Sequence, residues 1–204
     1  MSSKNPFDDM KRAKEEEYFR KKEKELIDAL HRRVALEEER RSMADITGTA
    51  DEEILTTLQE MGYTRETVRL LYLVPLVEVA WASGEVTNEE RSVILDAAGL
   101  IGVAEGHRVH EQLVAWLDQR PTDQFFTQTL RVISHLIHLL PRENQDAGRK
   151  SLMQFCLNVA AASGGILGFG NKVSSDEQAV IERIATELED HHQDAARQVI
   201  EAGA

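Results

Sequence analysis

The sequence predicts an all-α protein: one long charged N-terminal helix, followed by a compact domain of six or seven helices that carries an internal helix-turn-helix repeat. Three observations lead there. Residues 8–41 contain no Gly or Pro and are dominated by Lys, Arg and Glu, strong helix formers with many opposite-charge neighbours at i+3 and i+4. The rest of the chain carries apolar residues at helical spacing and no credible strand. Two of its segments also repeat one another.

The first helix is expected over residues 1–41. Asp8 and Asp9 place negative charge at its start, and Arg40 and Arg41 place positive charge at its end, as the helix dipole favours. Its apolar residues are sparse at first (Phe7, Met10, Ala13, Tyr18, Phe19), and then Leu26, Ile27, Leu30 and Val34 fall on one face. Such a helix cannot bury itself. It needs a partner, either the body of its own chain or another protein. Without a partner beyond its own chain it is a solvated or coiled-coil arm.

Residues 42–60 read as a linker and a short helix. Thr47-Gly-Thr-Ala50 breaks the pattern between Met43 and Asp51, and Thr49 or Asp51 caps a helix that ends near Met61-Gly62. Residues 61–204 form the helical domain. Thr64 to about Ala82 is strongly apolar, with a kink expected at Pro75. Helices follow around Val109–Leu117 and Pro121–Leu140, the latter ended by Pro141. Glu177–Leu188 and Asp194–Glu201 finish the chain.

Within the domain, Val79-Ala-Trp-Ala-Ser-Gly84 matches Val159-Ala-Ala-Ala-Ser-Gly164. Each is followed by a similar restart, Val86-Thr-Asn-Glu-Glu90 and Val173-Ser-Ser-Asp-Glu177, the second after seven inserted residues. Small residues let the first helix of each unit pack closely, and Gly84 and Gly164 should end it. Thr87 and Ser174 cap the next helix, and Glu90 and Glu177, three residues later, complete capping boxes.

Composition narrows the function classes. With 204 residues and 42% hydrophobic content, the chain can bury one ordinary core. Its single cysteine, Cys156, closes no intramolecular disulfide, sits in an apolar run, and suggests a reducing compartment. The first residues resemble neither a signal peptide nor a transit peptide, and no run approaches the roughly 20 apolar residues of a membrane span. A cytoplasmic, bacterial protein that is not integral to a membrane is expected. The net charge of −12 is unevenly held: residues 1–41 contain 12 Lys+Arg and 11 Asp+Glu, whereas the remainder contains 12 and 25. An acidic body repels polyphosphate, so nucleic acid is not an expected partner.

The motifs that suggest chemistry are weak. His107-x-x-His110 and His135-x-x-His138 could place two ligands on one helix face but lack cysteine or carboxylate companions, which favours ordinary helix histidines. Gly164-Gly-Ile-Leu-Gly-Phe-Gly170 lacks the Lys-Ser/Thr ending of a phosphate loop, and so no ATP site is assigned. That loop either packs locally or presents Ile166, Leu167 and Phe169 to a second partner. Met61-Gly-Tyr63 resembles the loop of ubiquitin-associated modules, a match treated as chance. No serine, cysteine or paired-carboxylate constellation supports an active site, so neither an enzyme nor a cofactor is expected.

Two resemblances add to this. Phe7, Ala13, Glu15, Glu16, then Tyr18-Phe19-Arg20, followed by Lys24-Glu25, Ile27, Ala29 and Leu30, resemble the inhibitory segment of the ATP synthase inhibitor family over roughly residues 7–41. The resemblance implies a helix that enters a closing interface between catalytic and non-catalytic subunits of the F-type ATP synthase head, reaches toward the central rotor, and stops ATP hydrolysis. It implies that Glu15 pairs with a basic residue there. Tyr18, Phe19, Ile27 and Leu30 would be apolar anchors and Arg20 a charged contact. The body, over about residues 60–190, resembles the TerB-like (tellurite-resistance) helical domain through its turn Ala82-Ser-Gly-Glu-Val-Thr-Asn-Glu-Glu90 and through Ala162-Ser-Gly164. In that family acidic turn residues are associated with metal binding. Here Ser83 and Ser163 stand where Asp would, and a hard cation wants several oxygen ligands, so no metal is assigned.

Overall fold

The structure, a computed structural model, describes the backbone of residues 6–162 and 173–202 and the side chains of residues 17–162 and 173–189. Among these every regular element is helical: α1 (Pro6–Thr47), α2 (Glu52–Glu60), a 3-10 helix (Val68–Leu73), α3 (Val74–Ala80), α4 (Asn88–Leu100), α5 (Arg108–Asp118), α6 (Asp123–Leu139), α7 (Arg142–Ala162) and α8 (Ser175–Ala202). The all-α class is as expected from the sequence. The chain divides into two compact units, Met1–Ser42 and Met43–Ala204. No helix among the described residues is long and apolar enough to cross a membrane.

In the first unit α1 meets no Gly or Pro after its first residue, and its described side chains support it locally. Lys22 pairs with Glu25 and Arg33 with Glu37, each at 3.3 Å. These exposed i+3 and i+4 pairs each contribute a few tenths of a kcal/mol at most. The helix does not end at Arg41 but runs on to Thr47, through residues expected to be linker. Met43 is fully buried in the core of the second unit, and this apolar anchor outweighs the polar composition around it. The Thr47 hydroxyl then bonds back to the Met43 carbonyl at 2.8 Å, and the Gly48 N–H reaches the Ala44 carbonyl.

The second unit is organised around α3, every residue of which is buried. It packs against α4, α6, α7 and α8. Pro75 starts this helix and does not kink a longer one: it lies in the first turn, and the residues before it form the separate 3-10 helix. Proline lacks the N–H that a helix interior needs, and the first turn is where that loss costs least. Asp51 caps α2 by accepting from the Glu53 and Ile54 N–H groups, and Thr122 caps α6 by accepting from Phe125. Phe126, Leu130 and Ile133 of α6, Leu113 and Leu117 of α5, and Ile184 of α8 complete the core.

The repeat is visible as two helix pairs, α3–α4 and α7–α8. Val79 and Ala80 in the first and Val159 and Ala160 in the second are all fully buried, so small residues at equivalent places bring the helices together. The second turn, with Gly164, Ile166, Leu167 and Phe169, lies outside the described residues. α8 is one helix from Ser175 to Ala202 where two were expected. No Gly or Pro separates residues 188–194, so nothing in the sequence breaks it.

Gly84 is not the residue that ends α3. The helix stops at Ala80 with Trp81 as its cap, and Gly84 follows in the turn at φ +96°, donating its N–H to the Trp81 carbonyl. A Cβ at Gly84 would meet nothing within 4 Å, so the cost of a side chain there is backbone strain alone. Gly84→Val should therefore lower stability by more than about 1 kcal/mol. A urea titration checks this, and an unchanged midpoint and slope would remove the turn assignment.

Candidate functional site

Two places carry groups that local packing does not account for: the first unit's helix, and the junction of the two repeat turns. On α1, Tyr18 is 59% and Phe19 66% exposed. Their rings meet edge-on with centroids 6.0 Å apart, and Lys22 lies 6.0 Å from the Tyr18 centroid. Successive residues point about 100° apart on a helix, so the two rings together span a broad sector of its surface. Leu26, Ile27, Leu30, Val34 and Leu36 are exposed as well, as are Arg20, Lys24 and Glu25. Phe7, Ala13, Glu15 and Glu16 belong to α1, but their side chains lie outside the described residues. The described candidate residues thus share one thing: none of them is buried.

The two capping boxes exist and are joined. Thr87 accepts from the Glu90 N–H, while Glu90 Oε2 accepts from the Thr87 N–H and hydroxyl at 2.7 Å. Ser174 accepts from the Glu177 N–H, and Glu177 Oε2 accepts from the Ser174 N–H at 2.6 Å. Glu90 is 0% and Glu177 1% exposed. Glu90 Oε1 is enclosed and receives no bond from an N–H or a hydroxyl. The carboxyl of Glu177 lies within its hydrogen-bonding reach, and two carboxyls can bond to each other only if a proton sits between them. Burial, and then the charge and hydrogen bond of Glu177, raise the Glu90 pKa above its ordinary value, although its bonds from Thr87 oppose this.

A third buried carboxyl, that of Glu78 of α3, receives a hydrogen bond from Arg183 of α8 at Oε1, while Oε2 is enclosed without a partner. Burial raises its pKa, and the Arg183 charge works against that rise. Cys156 is buried nearby. Burial, and then the Glu78 charge, push its thiol up to about 12, so it stays an unreactive thiol at neutral pH. Tyr63, of the Met61-Gly-Tyr63 sequence, is buried, stacked on Phe125 with centroids 5.8 Å apart and bonded to the Thr129 hydroxyl. It is a core residue. His135 approaches Asp51 at 3.7 Å, and among the described residues no group of three or more His, Cys, Asp or Glu is placed to hold a metal ion. The side chains of His191 and His192 lie outside the described residues.

The repeat and its capping boxes are readable in the sequence, but the meeting of Glu90 and Glu177 was missed. The available signal was the duplication itself, since a near-symmetric pair of helix-turn-helix units can bring equivalent turn residues together. No family model, curated protein or solved structure matches this chain.

The paired carboxyls generate a pH prediction. With its folded pKa raised, Glu90 holds its proton in the folded state over a range where the unfolded chain has lost it. Its contribution is therefore fully present below the ordinary glutamate value of 4.5 and is lost as pH rises from there through the folded value. The Gln side chain of Glu90→Gln keeps an acceptor for Thr87 and does not ionise. The stability of the wild type relative to Glu90→Gln should thus fall in urea unfolding as pH rises above about 4.5, until the folded group has ionised as well. A difference that stays flat with pH would show that Glu90 does not titrate in this way.

Proposed function

We propose that this chain is an inhibitor of ATP hydrolysis by rotary ATP synthase, a binding protein and not an enzyme. Its N-terminal helix inserts into a catalytic interface of the F-type head, between catalytic and non-catalytic subunits and toward the central rotor. The observation that carries the reading is the simultaneous exposure of Tyr18 and Phe19 on neighbouring faces of α1. They are the same residues that carry the resemblance to the inhibitor family. A cleft that surrounds the helix would bury both rings, and Ile27 and Leu30 would follow on the next turns.

The energetics suit this mode. Ordering a helix costs roughly 1–2 kcal/mol per residue in backbone entropy, and each large apolar side chain that becomes buried returns about 1.5–3 kcal/mol. A few anchors must carry the affinity, with Glu15, Arg20, Lys24 and Glu25 supplying charge pairing at the rim. The protein would act in the bacterial cytoplasm, peripheral to the membrane when bound to the synthase.

A second reading rests on a different observation. The doubled helix-turn-helix with its two joined capping boxes supports a TerB-type stress-response or metal-responsive interaction module, whose N-terminal helix serves assembly. Removal of residues 1–41 separates the two, because the inhibitor reading predicts lost inhibition with a folded body.

In hydrolysis assays with purified ATP synthase, Tyr18→Ala and Phe19→Ala should each weaken inhibition several-fold, and Glu15→Lys likewise. Neither aromatic change should alter the melting temperature of the body, since both rings are already exposed. Equal inhibition by the wild type and all three variants, or none by the wild type, rejects the inhibitor reading.

A further inference from the structure

The second unit carries a groove of about 470 Å3 that neither residues 1–41 nor the joined capping boxes use. Its floor is the core itself: Leu71, Leu76, Ile137 and Leu152, all buried. Its walls hold large apolar side chains in contact with solvent, Tyr72, Ile101, Leu140 and Phe155, with Leu100 80% exposed. Apolar residues gathered around a concavity are unlike the scattered exposed apolar residues of an ordinary surface.

The polar inventory of the groove decides what it fits. Thr47 and Ser151 are its hydroxyl residues besides the Tyr72 phenol, and the Thr47 hydroxyl is already bonded to the Met43 carbonyl. Arg69 is the one charged residue in the described lining. It is exposed and enters no salt bridge among the described residues. A peptide would bring an amide N–H and C=O at every residue to walls that offer almost nothing to bond them. A nucleotide or other polyanion would face a body with 25 acidic and 12 basic residues beyond position 41. An aliphatic chain needs no polar partner along its length, and one carboxylate at its end matches one guanidinium. The volume lies within the roughly 300–1,000 Å3 of small-molecule sites.

We propose that this groove is a binding site for a free long-chain carboxylic acid, with the acyl chain along the apolar floor and the carboxylate on Arg69. The site is independent of the inhibitor reading, because all its lining residues belong to the second unit.

Calorimetric titration of the chain with dodecanoate below its critical micelle concentration, and with dodecanol below its solubility limit, tests it. The wild type should bind dodecanoate saturably at one site and more tightly than dodecanol. Arg69→Gln should weaken dodecanoate about fivefold while leaving dodecanol nearly unchanged. Ser151→Trp, at an exposed position on the α7 wall, should weaken both about tenfold or more by filling the groove. Circular dichroism melting establishes that both variants fold. Shortening the chain to decanoate should cost roughly fourfold per methylene removed. The proposal fails if no saturable binding is seen, or if Arg69→Gln leaves the preference for the carboxylate intact. It also fails if folded Ser151→Trp binds normally. Sedimentation showing that Ser151→Trp abolishes a dimer would give the groove to a second copy of the chain, and binding to phosphatidylcholine vesicles in place of monomeric acid would give it to a lipid surface. Either result overturns the assignment.

Discussion

The body depends on how two helices begin. In α4 and in α8 a glutamate three residues into the helix folds back on its own cap, satisfying N–H groups that a helix start leaves without partners. Such boxes are ordinarily surface features, worth about 1 kcal/mol each. Here both glutamates are buried, so each cap is also a core contact. The start of α4 and the start of α8 thus meet at these two carboxyls. The same burial raises the Glu90 pKa, because a low-dielectric site that holds two carboxyls favours a shared proton over two charges.

The first unit obeys the opposite constraint. Every described side chain from Glu17 to Glu38 is exposed, and Glu39 and Arg40 are the first to be partly covered. Its local support is a set of exposed charge pairs. A helix built this way gains little from packing, since most helical stability in proteins comes from a buried face. The apolar residues it does carry, Tyr18, Phe19, Leu26, Ile27 and Leu30, therefore contribute little to folding while they remain exposed. Burying them elsewhere would give up little packing within the chain.

Much of this fold was legible in the sequence because its signals are local. The capping residues Asp51, Thr87 and Ser174 announce helix starts through side-chain chemistry that acts within three residues, and Val79-Ala80 and Val159-Ala160 announce close packing by size. The departures at the start of the body come from a tertiary effect and from a proline read in the wrong place. The burial of Met43 carries α1 through a polar stretch, and Pro75 opens a helix that hydrophobicity alone would have begun earlier. The groove was not legible, because Tyr72, Leu100, Leu140 and Phe155 come from different elements, and each alone looks like an ordinary exposed apolar residue. Of the candidate binding residues, the sequence identified their type and spacing, and only the structure could place Tyr18 and Phe19 both in solvent.

Charge divides the two units in a way that bears on what each can hold. Over residues 1–41 acids and bases nearly cancel, whereas the remainder carries 25 acidic against 12 basic residues. Long-range attraction to a partner of either sign is thus weak for the helix. For the body the field is strong and negative, and an anion can approach only where a local cation and a large apolar reward coincide. Arg69 in the same groove as Leu71, Leu100 and Phe155 is such a place. A ligand whose free energy lies mostly in its chain, with one charge to orient it, tolerates that field better than any ligand recognised by charge alone.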